Sequence, residues 1–500
     1  MEEKYIAAID LGTYKTALSV AKISGDDMQI VYYRERPSDG IRNSSVFNPM
    51  KASKPIEQAV RDAENELKIK ILQVAVGLPR NNVLQETAKA KADRSNPQEY
   101  ISKAEVEMLQ DIARNDYPLD DDSRQEIYGA VTQSFSTDDE INIVEDDVIG
   151  TISSRIEGNF RLFIGQRSST NTIDKVFNDL KISILKKYFL PDVVARTVLT
   201  EEEMDNGVAL IDFGAGVTSV SIYLDGIMRF YASIPFGGKD ITNDIRKECG
   251  ISAKLAENIK LAYGACMPSR LASLSDKILQ IRYSNAPYKE IKLEHISKVI
   301  DARIREIIDA ILYHIQESNF SDLLRTGVVI TGGGANLVNL STLIKDMSGY
   351  NVRIGYTRHL FSESGCPGVY ETAATSVIGM LLAAKTDNLA NCTIRTEDPV
   401  EETAVAVDTE ETEEAAAAAE ENMTVGDDVI ENGETGKLGM DFEEGEVTPK
   451  PKDDKRGRRP WPFGRGKNSD KQKNPKNNFF VGVIWDTFKE AYDDAVKDEI

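Results

Sequence analysis

The chain carries the same short phrase twice, about 200 residues apart: Asp10-Leu11-Gly12-Thr13-Tyr14-Lys15-Thr16 and Asp212-Phe213-Gly214-Ala215-Gly216-Val217-Thr218. Each copy follows a short apolar run, Tyr5 to Ile9 and Val208 to Ile211, that reads as a buried strand. A strand ending in a carboxylate is able to hold a hydrated Mg²⁺. The glycine two residues on has no Cβ, so backbone N–H groups can approach phosphate oxygens closely. One such turn is commonplace. Two of them predict two related halves closing on one nucleotide, with Asp10 and Asp212 as paired carboxylates.

A third glycine turn, Val328-Val329-Ile330-Thr331-Gly332-Gly333-Gly334-Ala335-Asn336, runs from a strand into Leu337, Leu340, Leu343 and Ile344 at helical spacing. Taken singly it is an ordinary strand-to-helix connection. With the other two, its bare backbone is expected to receive the flat face of a purine and its ribose. No Gly-x-x-x-x-Gly-Lys-Ser/Thr loop occurs, so Lys15 is a candidate phosphate-neutralising cation in a different architecture.

Five hundred residues with 41% hydrophobic content are enough for two to four domains. A formal charge of −22 speaks against nucleic-acid binding by the folded part. The four cysteines form no Cys-x-x-Cys pair and the three histidines are scattered, so neither disulfides nor a metal cluster is expected. The first residues enter a strand with no signal region, and no apolar run approaches the ~20 residues of a membrane span. The expectation is an intracellular chain that does not cross a membrane.

Residues 1–390 read as one α/β body. Strands are expected at Ile6 to Ile9, Ala17 to Ala21, Gln29 to Tyr33 and Leu72 to Val76, and helices at Ile56 to Leu67 and Ser102 to Ile112, with Ser102 as N-cap. Glu126 to Phe135, Ile141 to Val144 and Phe160 to Ile164 look like strands of a small α+β insertion. Between 397 and 446, nineteen Asp/Glu stand against one Lys, the composition of a self-repelling disordered tether. The sign then reverses: residues 450–476 hold eleven Lys/Arg against three Asp, with Trp461 and Phe463 interleaved. On a helical projection of the last segment, Phe480, Val481, Ile484, Trp485, Phe488 and Tyr492 share one face. That face predicts a helix lying in a membrane interface, assisted by the basic stretch. Its acidic polar face leaves docking on the body or on another protein as the alternative.

With these elements in place the sequence resembles the actin/Hsp70/sugar-kinase ATPase superfamily and, within it, the bacterial cell-division FtsA family. The narrower likeness rests on Ile234-Pro235-Phe236-Gly237-Gly238-Lys239-Asp240-Ile241-Thr242-Asn243-Asp244-Ile245, on Ala256-Glu257-Asn258-Ile259-Lys260-Leu261-Ala262-Tyr263-Gly264, on Val198-Leu199-Thr200-Glu201, and on the terminal amphipathic segment. It implies an actin-like α/β fold of two related lobes with an inserted small α+β subdomain, then a disordered linker and an amphipathic C-terminal helix. The implied divisions are 1–82 with 166–200 (first-lobe core), 83–165 (insertion), 201–237 with 326–390 (second-lobe core), 238–325 (second-lobe small subdomain), 391–476 (linker) and 477–500 (membrane helix).

The resemblance further implies ATP and Mg²⁺ in the interlobe cleft and self-association into filaments on the inner face of the cell membrane at the division site. The C-terminal peptide of the tubulin-like protein FtsZ would dock on 238–325, and other division proteins would be further partners. Carried over by motif, Asp10 and Asp212 would hold Mg²⁺ through water. Gly12, Thr13, Tyr14 and Lys15 would face the phosphates from one side, and Gly214, Ala215 and Gly216 from the other. Gly238, Glu257 and Lys260 would lie near the sugar, and Gly332, Gly333, Gly334 and Ala335 along the adenosine. For Glu257 and Lys260 an exposed helical charge pair is the plain alternative.

Two departures bear on chemistry. Relatives of this superfamily place Gln or Glu in the crossover segment to position the attacking water, whereas Phe189-Leu190-Pro191-Asp192 offers only Asp192. At most slow ATP turnover is therefore expected. The second turn also has Ala215 where glycine is frequent, which predicts an ordinary φ at that residue. A small-molecule kinase of the same fold and a PilM-like pilus-assembly ATP-binding protein remain as alternatives. An Hsp70-like chaperone would need a β-rich domain where the acidic coil stands.

Overall fold

The computed structural model describes residues 3–271, 277–283, 286–395 and 447–450. Two sheets of the same plan form the body. In the first lobe, Lys4–Leu11, Lys15–Ser24 and Asp27–Pro37 make an antiparallel meander; Gln73–Gly77 and then Ser183–Tyr188 add in parallel beyond Lys4–Leu11. In the second, Val208–Phe213, Thr218–Leu224 and Ile227–Ile234 form the meander, and Gly327–Thr331 and Val352–Ile354 add in parallel.

The registers coincide as well. Leu11 lies opposite Thr16 as Phe213 lies opposite Thr218, and Ile9 opposite Val76 as Ile211 opposite Ile330. The repeat read in the sequence is thus a repeat of topology. Because every residue of Val208–Phe213 is buried, Val208 to Ile211 read as an unbroken apolar run rather than an alternating one, ended by Asp212.

The insertion is an antiparallel sheet of Leu84–Asp93, Arg155–Gln166, Gln125–Ser136 and Ile141–Ile143, covered by the helix Lys103–Asn115. Ser102 caps that helix with Glu105 closing the reciprocal hydrogen bond. The Arg94 guanidinium beside Glu105, with the Ser102 cap, holds this carboxyl down to about 2. In the second lobe's small subdomain, helices Gly238–Cys249 and Ala253–Tyr263 pack with the long helix Leu293–Glu317. Its buried Ile296, Ile300, Ile304, Ile307, Ile311 and Ile315 form one continuous stripe.

The chain returns to the first lobe earlier than the division at 390 anticipated. Ser362–Glu363 pairs with Asp27–Pro37, and Thr393–Arg395 pairs with Ile69–Ile71. The helix Thr375–Thr386 packs in the first-lobe core through Val377, Ile378, Met380 and Leu381. Its apolar residues run nearly all round, so it must be covered on more than one side. A Cβ on Gly379 would sit 2.6 Å from the Val193 carbonyl oxygen, which shows how closely the crossover helix Leu190–Val198 approaches. Contacts with the first lobe therefore run to Arg395, four residues beyond the expected start of the linker at 391.

A second piece of the expected linker, Val447–Lys450, pairs antiparallel with Ile278–Tyr283. The rest of the linker and the expected membrane helix, with Phe480, Val481, Ile484, Trp485, Phe488 and Tyr492, lie outside the described residues. Among the described residues no helix is long and apolar enough to cross a membrane.

Beneath the cleft, one apolar cluster joins both lobes and the insertion. Phe163 of the insertion stacks on Phe189 of the crossover at 4.6 Å, and Tyr231 of the second lobe meets both rings edge-on at 6.1 and 5.4 Å.

Candidate nucleotide cleft

The two hairpin turns point at each other. A Cβ on Gly216 would lie 2.7 Å from the Thr13 hydroxyl oxygen and 2.8 Å from its methyl, so the second turn abuts the first at this bare backbone. Thr13 is held in place because its Oγ1 accepts the Ser44 N–H at 3.0 Å. Within each turn the glycine is needed for the same reason. A Cβ on Gly12 would stand 2.6 Å from the Lys15 carbonyl oxygen, and one on Gly214 2.7 Å from that of Val217. Ala215 has no positive φ, as expected.

Asp10 and Asp212 end equivalent strands on opposite walls. Burial raises the Asp10 pKa, with Arg80 and Lys15 pulling it back down. Asp212 is buried and forms an ion pair with Arg80, both side chains being about 10% exposed (11% for Arg80). Lys15 is paired with Glu35 on the neighbouring strand and lies 3.4 Å from the Tyr33 hydroxyl. Tyr14 stands half-exposed at the mouth. Partial burial raises its phenol, with Glu257 and Glu35 adding to the effect, so it lies between the lobes' two acidic side chains.

On the far wall, the Gly238 N–H donates to the Gly214 carbonyl at 3.0 Å and the Lys239 N–H to Ala215 at 2.7 Å, which fixes the second turn to the start of helix Gly238–Cys249. The Lys260 ammonium donates to the Gly238 carbonyl and the Thr242 hydroxyl at 2.8 and 2.9 Å, and pairs with Glu257 at 2.8 Å. Thr242 also donates to Glu257. These two charges form a largely buried network that braces the cleft wall, not an exposed helical pair.

The third turn uses its glycines differently from the expectation. A Cβ on Gly332, whose φ is +85°, would sit 2.5 Å from an Asp212 carboxylate oxygen, and one on Gly334 2.0 Å from the Phe213 ring. Those two positions are bare so that the turn can close on the strand Val208–Phe213. Gly333 alone meets nothing within 4 Å, and the Ala335 side chain is buried in the second-lobe core. Of this turn, Gly333 is the residue whose bareness is left for a ligand.

Asp192 does not join the cleft. Its carboxylate pairs with Arg196 one helical turn on, at 3.0 Å, and, after burial, raises the Tyr223 pKa. Tyr223 lies opposite Val208, at the other end of the strand from Asp212. Four steps along the strand separate Val208 from Asp212, about 13 Å. The crossover helix aims Asp192 at the base of the lobes, so the catalytic role considered for it is withdrawn.

Sequence reasoning missed Arg80. By the shared register it occupies, in the first lobe, the place that Gly334 holds in the second. The signal was present in Val74-Ala75-Val76-Gly77-Leu78-Pro79-Arg80, a strand running into a turn that ends on a cation.

A family model described as "Cell division protein FtsA" matches residues 209–379, from the second hairpin through the glycine turn and into the helix Thr375–Thr386. The cell division protein FtsA of Neisseria meningitidis serogroup B is 27% identical over 386 residues, covering 77% of this chain and 91% of the relative. The protein of the same name from Pseudomonas aeruginosa is 25% identical over 357 residues, covering 70% and 83%. The chain is FtsA-like. Among solved structures, a PilM–PilN type IV pilus biogenesis complex matches with a TM-score of 0.52 at 15% identity, over 76% of this chain and 98% of that one. At that identity the match speaks for the fold, and the actin-like plan of two related lobes agrees with it. The matched span lies mostly in the second lobe, and the first Asp–Gly turn of this FtsA-like chain stands outside it.

Proposed function

We propose that this FtsA-like chain is an ATP-binding, filament-forming cell-division protein that works at the inner face of the cytoplasmic membrane and links FtsZ to it. The observation that carries the reading is the meeting of two register-equivalent Asp–Gly turns, Gly216 against Thr13, between lobes of the same topology. The residues present fit a metal-bound triphosphate. A half-buried carboxylate, Asp10, and a buried one, Asp212, end the facing strands, bare glycine backbone lines both turns, and Gly333 opens on free space. Mg²⁺ held through water by Asp10 and Asp212 would neutralise phosphate charge there. The turns 12–15 and 214–216 would orient the phosphates, and the Lys260–Glu257 brace would hold the wall by the sugar.

Because nucleotide would touch both lobes, its binding favours closure, and closure sets the outer faces for self-association. Polymerisation would then multiply weak tail–lipid contacts by effective concentration, through the face of Phe480, Val481, Ile484, Trp485, Phe488 and Tyr492. The small subdomain 238–325 would receive the FtsZ peptide. With Asp192 turned away, hydrolysis is at most slow. The PilM-like alternative rests on a likeness of fold and does not account for the acidic tether and amphipathic end. The test is pelleting with anionic phosphatidylglycerol vesicles, with and without Mg²⁺-ATP, for the full chain and for a version ending at Lys476. The full chain should pellet more with nucleotide and the shortened one should stay in the supernatant. Equal pelleting of the two would refute the tail's role, and calorimetry showing no Mg²⁺-ATP uptake would refute the cleft.

A further inference from the structure

We propose that Arg80 is the cleft's own cation: a latch that joins the lobes through Asp212 in the nucleotide-free protein and gives way to a metal-bound nucleotide. The inference rests on the nucleotide reading above for its release step, and on geometry alone for the latch itself.

Arg80 leaves the first lobe's sheet just after Gln73–Gly77 and reaches across to Asp212 on the second lobe. Its backbone is clamped from both sides. The Arg80 N–H donates to the Ser44 hydroxyl at 3.3 Å, and the Tyr231 hydroxyl of the second lobe donates to the Arg80 carbonyl at 2.6 Å. Tyr231 is fixed in turn by Phe163 and Phe189, and its N–H donates to the Gln85 side chain of the insertion at 2.8 Å. Only the side chain of Arg80 is therefore left free to move.

That side chain is incompletely satisfied where it stands. Nη1 donates to Asp212, while the buried Nε has no hydrogen-bond partner, and neither does the buried Oδ1 of the adjoining Asn81. A buried guanidinium with unspent donors favours any state that offers it anionic oxygens, and its planar fork suits phosphate. Nη2 lies 3.3 Å from where a Cβ on Gly214 would be, so the fork already rests against the second phosphate turn.

A hydrated divalent cation needs the same carboxylate oxygens that Arg80 now holds. Packing both cations against Asp212 would place like charges side by side in a buried site, so one displaces the other. Arg80 thereby keeps Asp212 neutralised and the lobes closed when no nucleotide is bound, and becomes available to the phosphates when the metal arrives. The exchange also makes binding depend on metal: without Mg²⁺ the nucleotide has nothing to draw Asp212 from its partner.

The experiment uses the full chain as wild type, Arg80→Gln, Arg80→Lys, Asp212→Asn and the double variant Arg80→Gln with Asp212→Asn. Two quantities are read: backbone amide exchange of the two hairpins in nucleotide-free protein, and the Mg²⁺ concentration giving half-maximal binding of a fluorescent ATP analogue. Arg80→Gln and Asp212→Asn should each raise hairpin exchange at least several-fold, the double variant no more than either single one, and Arg80→Lys should stay near wild type. Arg80→Gln should also lower the Mg²⁺ requirement at least threefold, since the metal no longer competes. Unchanged exchange in Arg80→Gln, or an increased Mg²⁺ requirement, overturns the proposal. Should Arg80→Gln not fold, the Asp212→Asn exchange decides it. Failure of the wild type to bind nucleotide would defeat the functional reading and the release step, while the exchange arm would still decide the latch.

Discussion

Gly216→Ala isolates what the closed cleft requires of its two turns. Gly216 does not have a positive φ, so the backbone accepts alanine and the new Cβ is the whole perturbation. It would meet Thr13 at 2.7 Å from Oγ1, 2.8 Å from the methyl and 3.0 Å from Cβ. Thr13 has no easy retreat, being β-branched and bonded through Oγ1 to the Ser44 N–H at 3.0 Å. Yielding costs about 1 kcal/mol for that hydrogen bond, or overpacking of about 1–3 kcal/mol if Thr13 holds. The open form escapes the clash, so the cost falls on closure and hence on nucleotide affinity. An effect of about 1–3 kcal/mol is a rise in Kd of roughly 5- to 150-fold. Calorimetry with Mg²⁺-ATP on the full chain measures it. Thermal unfolding without nucleotide should fall only modestly, because the lobes can part to relieve the clash at the cost of the Arg80–Asp212 pair. The decisive control is Thr13→Gly, which removes all three contacts. In that background Gly216→Ala should cost at most a few tenths of a kcal/mol. An undiminished penalty there would show that the turns do not meet as described.

Other substitutions address separate parts of the argument. Gly332→Ala combines a φ of +85° with a Cβ 2.5 Å from Asp212 and 2.6 Å from the Phe213 carbonyl oxygen, and should destabilise the second lobe by about 2–4 kcal/mol in urea unfolding. Lys260→Met leaves Glu257 and the Gly238 carbonyl without their shared cation, so Mg²⁺-ATP affinity should fall by about tenfold, roughly the 1–3 kcal/mol of a buried charge-assisted bond. Asp192→Asn should leave nucleotide turnover unchanged, since its carboxylate faces Arg196; a fall in ATP hydrolysis would restore it to the catalytic machinery. Glu105 has its folded pKa depressed to about 2 from 4.5, so its pairing with Arg94 stabilises the insertion fully above pH 4.5 and is lost as pH falls from there toward 2. Acid unfolding followed by amide exchange should show helix Lys103–Asn115 opening in that window, and Glu105→Gln should remove the window.

Much of this architecture was legible because the residues that punctuate it are chemically stark. A strand ending in Asp, then Gly, leaves few alternatives, and the two hairpins, the third glycine turn and the Ser102 cap all stand where the sequence placed them. What escaped detection had weaker local marks. Leu84–Asp93 alternates alanine with polar residues, and alanine is a poor strand former whose burial here is decided by the strand Arg155–Gln166 beside it. Thr375–Thr386 is apolar, but nothing within it says which lobe it will cover. Asp192 matched by order along the chain, yet the direction of its helix decides where its carboxylate points. Arg80 was passed over because a lone arginine after a strand ordinarily reads as surface; only its partner 132 residues later makes it part of the cleft.

The stretch 388–392 also has a mechanical consequence. The Cys392 N–H donates to the Tyr5 carbonyl, the Leu72 N–H to the Cys392 carbonyl, and the Lys4 ammonium to Asn388 and Leu389, so this stretch is sewn to the opening strand of the first lobe. Further along, Val447–Lys450 adds to Ile278–Tyr283 in the small subdomain of the second lobe. The C-terminal stretch thus grips both halves, one at each stitch, and a pull arriving from its far end loads the second half before the first.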